Sequence, residues 1–232
     1  AGMTPKKQLF AINEDTHRLV NLQYSTYNRS LVPLLKQQGV HMIAHHESLN
    51  KKQGAFVDKY FEDNVYPVLT PMAVDSSRPF PLIRNKSLNI GALLSKRKEK
   101  GELEFATVQV PSVLSRIVPI PAEKAGEKAV ILLEEVIERN ISRLFLNYDV
   151  VCSHPFRIMR NADLTIDEEE AVDLLEEIQK QLKKRQWGEA IRLEIEDNVD
   201  KRLLKILRKE LSINSQDIFG INGPLDLTFL MK

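Results

Sequence analysis

Three arginines carry the strongest chemical signal in this 232-residue chain. Arg157 and Arg160 stand in PFRIMR and Arg192 in AIRLEIE, and both segments read as strands. A strand that places arginines on a sheet face offers forked, permanently charged donors that match phosphate or carboxylate. The same side chains could instead be consumed in cross-strand ion pairs with Glu194, Glu196 or Asp163, a common use of opposite charges on one face. Arg157, Arg160 and Arg192 are therefore the candidate substrate-binding residues, for an anionic ligand, with ion pairing as the competing use.

Other groups give less. His41, His45 and His46 form an HxxxHH cluster, but a metal site wants further ligands and an ordered surrounding shell. The cluster falls in a linker with no carboxylate triad beside it, so no metal site is expected. His17 reads as a helix residue, and His154 abuts a strand. Neither has a nearby nucleophile-and-base arrangement. There is no GxxxxGK[ST] or GxGxxG loop, and the nine glycines do not cluster to cradle a phosphate. The basic run from Lys96 to Lys100 suits a solvated hairpin tip better than an anion site. No catalytic residue emerges.

The elements that must position the arginines centre on residues 156–196. Thr165 and Glu168 fit a capping box, and acidic residues crowd the first turn. Ala171, Leu174, Leu175, Ile178 and Leu182 recur at helical spacing, with basic residues at the end. On one side Phe156, Ile158 and Arg160 share a strand face, with Arg157 and Met159 on the other. Beyond the helix Ile191, Leu193 and Ile195 alternate with Arg192, Glu194 and Glu196, giving one apolar face and one charged face. A strand, a crossover helix and a second strand pack the helix on a sheet.

Ahead of this unit, Thr4 and Pro5 open a long amphipathic helix carrying Leu9, Ile12, Leu19, Val20, Tyr24, Tyr27, Leu31, Leu34 and Leu35. It runs to Gly39 and would extend roughly 50 Å, kinked near Pro33. Its stripe needs partner helices that the chain does not offer, which suggests a helical bundle or a second subunit. Val40–Ile43 reads as an extended link, and Ser48 as the cap of a second helix. The stretch from Val65 to Asn89 holds four prolines and reads as an ordered apolar loop. Strands follow over 88–94, 103–110, 117–120, 129–132 and 149–154, with a helix over 133–145. A short helix over 203–207 precedes GINGPLDLTFLMK, which has no evident partner. The fold class is α+β: a domain of mixed β-sheet with packed helices, preceded by a long α-helix.

Bulk properties bound the function. Thirty-three basic and 32 acidic residues leave a formal charge of +1, so nothing pulls the chain globally toward nucleic acid or membrane. At 6% aromatics there is too little for a base-stacking platform. Cys152, the single cysteine, forms no intrachain disulfide and fits a reducing, cytoplasmic setting. No apolar run approaches the roughly 20 residues of a transmembrane span. The Ala-Gly-Met start, followed at once by a helix, suggests a trimmed chain.

Four ordered stretches, FEDNVYPVLTPMAVD, RPFPLIRNKSLNIG, FRIMRNADLTIDEEEAVDLLEEIQ and RQWGEAIRLEIE, together resemble polyphosphate kinase, the bacterial enzyme that moves the terminal phosphate of ATP onto a polyphosphate chain. The similarity runs over nearly all of the chain, and GMTPKKQL matches the start of a long helix in that family. The resemblance implies a fragment. Residues 1–39 correspond to the end of the helical domain, residues 40–222 to the head domain, and residues 223–232 to an exit toward two absent phospholipase-D-like domains. Those absent domains carry the phosphohistidine and, with Mg2+, hold the phosphates of ATP. None of the five histidines here lies in a matching motif, so no catalytic residue is transferred. ATP and Mg2+ are implied for the parent and none is expected on this fragment, which would be inactive alone. Further implications are a homo-oligomer, with a dimer expected, contact with inorganic polyphosphate, and a cytoplasmic site that allows membrane association of the parent complex. The competing possibility is a stand-alone interaction module that borrowed this fold.

Overall fold

Thr4 accepts the Lys7 N–H through its hydroxyl, and Pro5 takes the first turn, where its missing donor costs nothing. Helix α1 (Pro5–Thr26) then runs on through a π-turn (Tyr27–Leu31) into α2 (Val32–Gln37). The expected break at Pro33 takes the form of that turn: the Val32 N–H reaches back five residues to the Tyr27 carbonyl. Proline lacks an N–H and its ring crowds the carbonyl four residues back, and one widened turn relieves both problems. The computed structural model describes residues 2–74, 80–97, 103–161 and 188–231.

Gly39, at φ +74°, ends the helix. The supposed link that follows is a strand, β1 (Val40–Ile43). It pairs in parallel with β6 (Lys128–Leu132), whose other neighbour is the antiparallel β5 (Ile117–Ile120). Helix α3 (Lys51–Tyr60) is capped by Asn50, not Ser48. Asn50 accepts the Gln53 N–H while Gln53 accepts the Asn50 N–H, a reciprocal box that Ser48, with Lys51 three residues on, cannot complete.

The larger sheet has six strands in the order β2 (Met72–Val74), β4 (Glu104–Gln109), β3 (Leu88–Lys96), β7 (Tyr148–Arg160), β8 (Ala190–Glu196), β9 (Ile218–Ile221). Only the β8–β9 pair is parallel. The expected mixed sheet is thus two sheets. The two strand segments expected over 149–154 and 156–160 are one strand, β7, despite Pro155. Pro155 faces Ile90 of β3, and the ladder to β8 begins only at Phe156, so one side of the proline needs no ladder donor. β7 and β8 pair antiparallel, so the chain returns beside the strand it left rather than crossing over. The helix expected after Thr165 lies outside the described residues. Ile191 also departs from the expected alternation. Met159 pairs with Arg192 and Arg160 with Ala190, so Ile191 is the extra residue of a bulge and is exposed.

The large sheet is buried on both faces. Ile90, Ala92 and Leu94 pack toward α3, the small sheet and α4 (Leu133–Arg139). Leu93, Phe156, Ile158, Leu193 and Ile195 pack on the opposite face against Leu203 and Leu207 of α5 (Lys201–Glu210). A third cluster joins Val20 and Tyr24 of α1 to Phe219, Ile221 and Leu225. The long helix therefore finds a partner within the chain, and that partner is a strand and the C-terminal segment rather than other helices. Leu9, Phe10, Ile12, Leu19 and Leu22 stay exposed.

Phe61, fully buried in the first core, and Phe10, exposed on α1, make a direct contrast. Phe61→Ala should lower unfolding stability by about 3–5 kcal/mol, whereas Phe10→Ala should stay within about 0.5 kcal/mol. Urea unfolding of both variants measures the difference.

Candidate functional site

The strand register sets Arg157 directly opposite Glu194, and Met159 opposite Arg192. Arg157, Arg192 and Glu194 therefore lie on one face of the sheet. The alternation marked that face as charged, and the structure buries it. Glu194 is 6% exposed. Its two oxygens are taken separately: Arg157 Nη1 donates to Oε2 at 3.0 Å, and Arg192 Nη2 contacts Oε1 at 2.7 Å. Arg192 also lies over the Phe219 ring, 4.1 Å from its centroid, and His17 of α1 stacks on the same ring at 3.8 Å. The side of the sheet expected to meet a ligand is thus an ion network with aromatic neighbours beside the docked helix.

Arg157 and Arg160 have a second engagement, with a loop between Ile83 and Ser87. Arg157 Nε donates to the Lys86 carbonyl, and Arg160 Nε donates to the Ile83 carbonyl. The Arg160 backbone N–H is accepted by Asn85 Oδ1, and the Lys86 N–H bonds to the Ile158 carbonyl. Burial pulls the Arg160 guanidinium below its ordinary pKa. These bonds hold Lys86 at φ +60°, a left-handed conformation that a residue with a β-carbon adopts only under constraint. The loop presents Arg84, Asn85 and Lys86 to a cleft of about 600 Å³ whose opposite wall includes Ser112, Arg116 and Thr228. Arg157 and Arg160 brace this loop, Arg192 stays within the Glu194 network, and the exposed cations Arg84 and Lys86 line the cleft. The string RPFPLIRNKSLN carried that signal in its paired basic residues, obscured by its prolines.

Arg116, which also lines the cleft, is held from several sides. It forks onto Glu134, with Nη2 to Oε1 at 2.6 Å, and also donates to the Leu225 and Asp226 carbonyls while lying over the Phe229 ring. The C-terminal segment, expected to lack a partner, is fixed here and along α1. Asn13 and His17 donate to the Gln216 carbonyl, Tyr24 to that of Pro224 and Asn28 to that of Asn222. Gly223, at φ +142°, lies so close to Tyr24 that an added Cβ would sit 3.2 Å from the ring. Burial lifts both phenols of this seam above their ordinary pKa, Tyr27 to about 12.

The histidines are spread over separate structural contacts. His41 meets Glu127 at 3.0 Å, while His46 contacts Glu135 at 3.1 Å with His45 3.8 Å from the same carboxyl. The carboxylate that the HxxxHH segment lacked in sequence comes from α4, far along the chain. That Glu135 bond raises the His46 pKa. His154 Nδ1 bonds to Glu196 at 2.8 Å, and its Nε2 accepts the Asp200 N–H at 3.2 Å. Ligand-capable atoms of His45, Glu47 and Glu135 lie within 4.8 Å of one another, as do those of Glu135, Glu138 and Glu196. Glu138 accepts a hydrogen bond from Ser153. Burial, with Glu135 and Glu196 beside it, pushes the Glu138 carboxyl well above its ordinary pKa.

A family model described as polyphosphate kinase middle domain matches residues 52–232. The chain belongs to that family. The polyphosphate kinase of Halalkalibacterium halodurans is 48% identical over the whole of this chain, which covers 33% of that protein. That of Lactiplantibacillus plantarum is 47% identical, again over the whole chain and 32% of the relative. The chain thus spans about a third of the length of the curated relatives it matches. The crystal structure of polyphosphate kinase from Porphyromonas gingivalis shares the fold, with a TM-score of 0.77 at 20% identity over 97% of this chain and 32% of that one. The middle-domain family and the α+β fold expected from the sequence are both found.

Two outcomes test the buried polar groups. Glu194→Gln leaves two largely buried guanidinium groups without their carboxylate and should cost about 3 kcal/mol or more, while Arg18→Ala, at an exposed pair with Asp15, should cost under about 1 kcal/mol. Chemical denaturation reads both. Glu138 binds its proton more tightly folded than unfolded, so its contribution is complete at pH below about 4.3, the free glutamate value, and is lost as pH rises toward the raised folded value. Glu138→Gln should therefore raise Tm relative to the parent sequence at neutral pH, with a gain that shrinks on acidification.

Proposed function

We propose that the chain is the middle portion of a longer polyphosphate kinase. In that protein the terminal phosphate of ATP passes reversibly to inorganic polyphosphate through a phosphohistidine, with Mg2+, in domains outside these residues. Residues 1–39 would close the helical domain, 40–222 form the head domain, and 223–232 lead toward the catalytic part. The portion described here would serve assembly of a cytoplasmic homodimer and cover the path of the polymer. One observation carries the non-catalytic assignment: each histidine is already placed against a carboxylate, a backbone carbonyl or an aromatic ring. A nucleophilic histidine needs a free nitrogen aimed at an open phosphate site. His154, the most enclosed of those bonded at both nitrogens, has none to offer.

Arg157, Arg160 and Arg192 would support phosphate binding indirectly. Their donors go to Glu194 and to backbone carbonyls, which favours a positioning role over direct contact. The exposed apolar residues at the start of α1 support an interface, since such surface in water favours association.

Incubated with γ-labelled ATP and Mg2+, this chain should acquire no acid-labile phosphate, whereas label on any of its histidines would overturn the assignment. Sedimentation velocity should detect self-association, and a monomer at every concentration would remove the assembly role.

A further inference from the structure

The cleft between the 83–87 loop and the C-terminal segment has an unusual balance of charge. Of its charged residues, Asp226 lies 3.7 Å from Arg157, and Arg116 is already forked onto Glu134. Arg84 and Lys86 remain. Both are exposed, and neither side chain has a carboxylate partner among the described residues. Their surroundings are rich in donors that the fold does not use. Asn85 spends only its side-chain oxygen, on the Arg160 N–H. Gln109, Ser112 and Thr228, with their amide and hydroxyl groups, also line the cleft. Buried apolar groups including Val110 and Phe229 form part of the wall, and low-dielectric walls focus the field of nearby cations.

The loop is also built with care from below. Two guanidinium groups and two backbone N–H bonds fix its carbonyls and Asn85. Lys86 is held left-handed, at φ +60°, and Asp226 across the cleft at φ +58°. Two of the three non-glycine residues with positive φ in the described chain therefore line this one cleft. Such strain persists where the surroundings over-determine it, as at binding sites. An ordinary exposed turn would relax it with glycine or asparagine.

We propose that this cleft binds a chain of linked phosphates, with Arg84 and Lys86 as its cationic contacts and Arg157 and Arg160 as positioning residues beneath them. The choice of phosphate over other polyanions rests on the polyphosphate kinase reading; the cationic, donor-rich cleft stands on the geometry. Inorganic polyphosphate and a nucleoside triphosphate offer the same chemistry, and the test separates them.

Fluorescently labelled polyphosphate is titrated into this chain near physiological salt, with unlabelled ATP as competitor. Saturable binding is expected. Arg84→Glu with Lys86→Glu should weaken it by about ten-fold or more, on the scale of two exposed charge-assisted contacts. Arg84→Gln with Lys86→Asn should weaken it in the same direction, and asparagine suits the left-handed backbone, so misfolding cannot account for both. Lys51→Glu with Lys52→Glu, the same charge change at exposed positions on α3, should leave binding intact. Competition by ATP would make the nucleotide a ligand of the cleft, and indifference to ATP would restrict it to the inorganic polymer. Undetectable binding, equal binding by the Arg84/Lys86 variants, or equal loss in the Lys51/Lys52 variant would overturn the proposal. None of those three results touches the non-catalytic assignment, which fails only if the chain's own histidines take label from ATP.

Discussion

A buried carboxylate between two guanidinium groups governs how this molecule is put together. Glu194 sits on a central strand with Arg157 on one oxygen and Arg192 on the other. Removed from water singly, any of the three would be costly to bury. Together they let the charged face of β8 go beneath a helix and a C-terminal segment without an uncompensated ion. Arg192 then supplies a flat cation for Phe219, on which His17 stacks. Arg157 keeps one further donor for the Lys86 carbonyl. Helix docking, strand pairing and loop placement thus share one set of charges.

Much of the scaffold was legible from local pattern. The 88–94 and 103–110 strands, the short pair over 117–132 and the strands holding the arginines follow from period-two alternation and apolar runs. What alternation could not tell was which face would be solvated. The charges of Arg192 and Glu194 marked a charged face open to a ligand or to ion pairing, and their burial depends on α1, whose sequence lies far upstream. Pro155 lies between the two segments expected as separate strands, and pairing on one side alone makes it harmless within one continuous strand. The bulge at Ile191 shifts a face by one residue, and no composition signal announces it. The partner that α1 finds within the chain went unseen for a related reason: a helical stripe announces that something must cover it, not whether the cover is helix or sheet.

The candidate site was half visible. Arginine on a sheet face rightly drew notice, but donor counting decides its use. Arg160 spends its Nε donor and one Nη1 donor on the Ile83 and Gly188 carbonyls, which ties the guanidinium to the main chain. The exposed cations belong to a loop whose prolines made it look merely irregular. Glu135, Glu138 and Glu196 converge only because α4 packs across β7 and β8, a long-range event hidden in a linear string.

The seam along α1 has a further consequence. Asn13, His17, Tyr24 and Asn28 occupy one helix face, and each ends on a main-chain oxygen of residues 216–224. These bonds follow the path of the opposing chain and do not depend on its side chains. Gln216, Asn222 and Pro224 could drift in identity while the helix kept its seat, whereas Phe219 and Ile221 are buried against α1 and Gly223 lies too close to Tyr24 to carry a side chain. Inserting one residue between Gln216 and Pro224 would throw the contacts out of phase together, so the segment tolerates changes of spelling far better than changes of length.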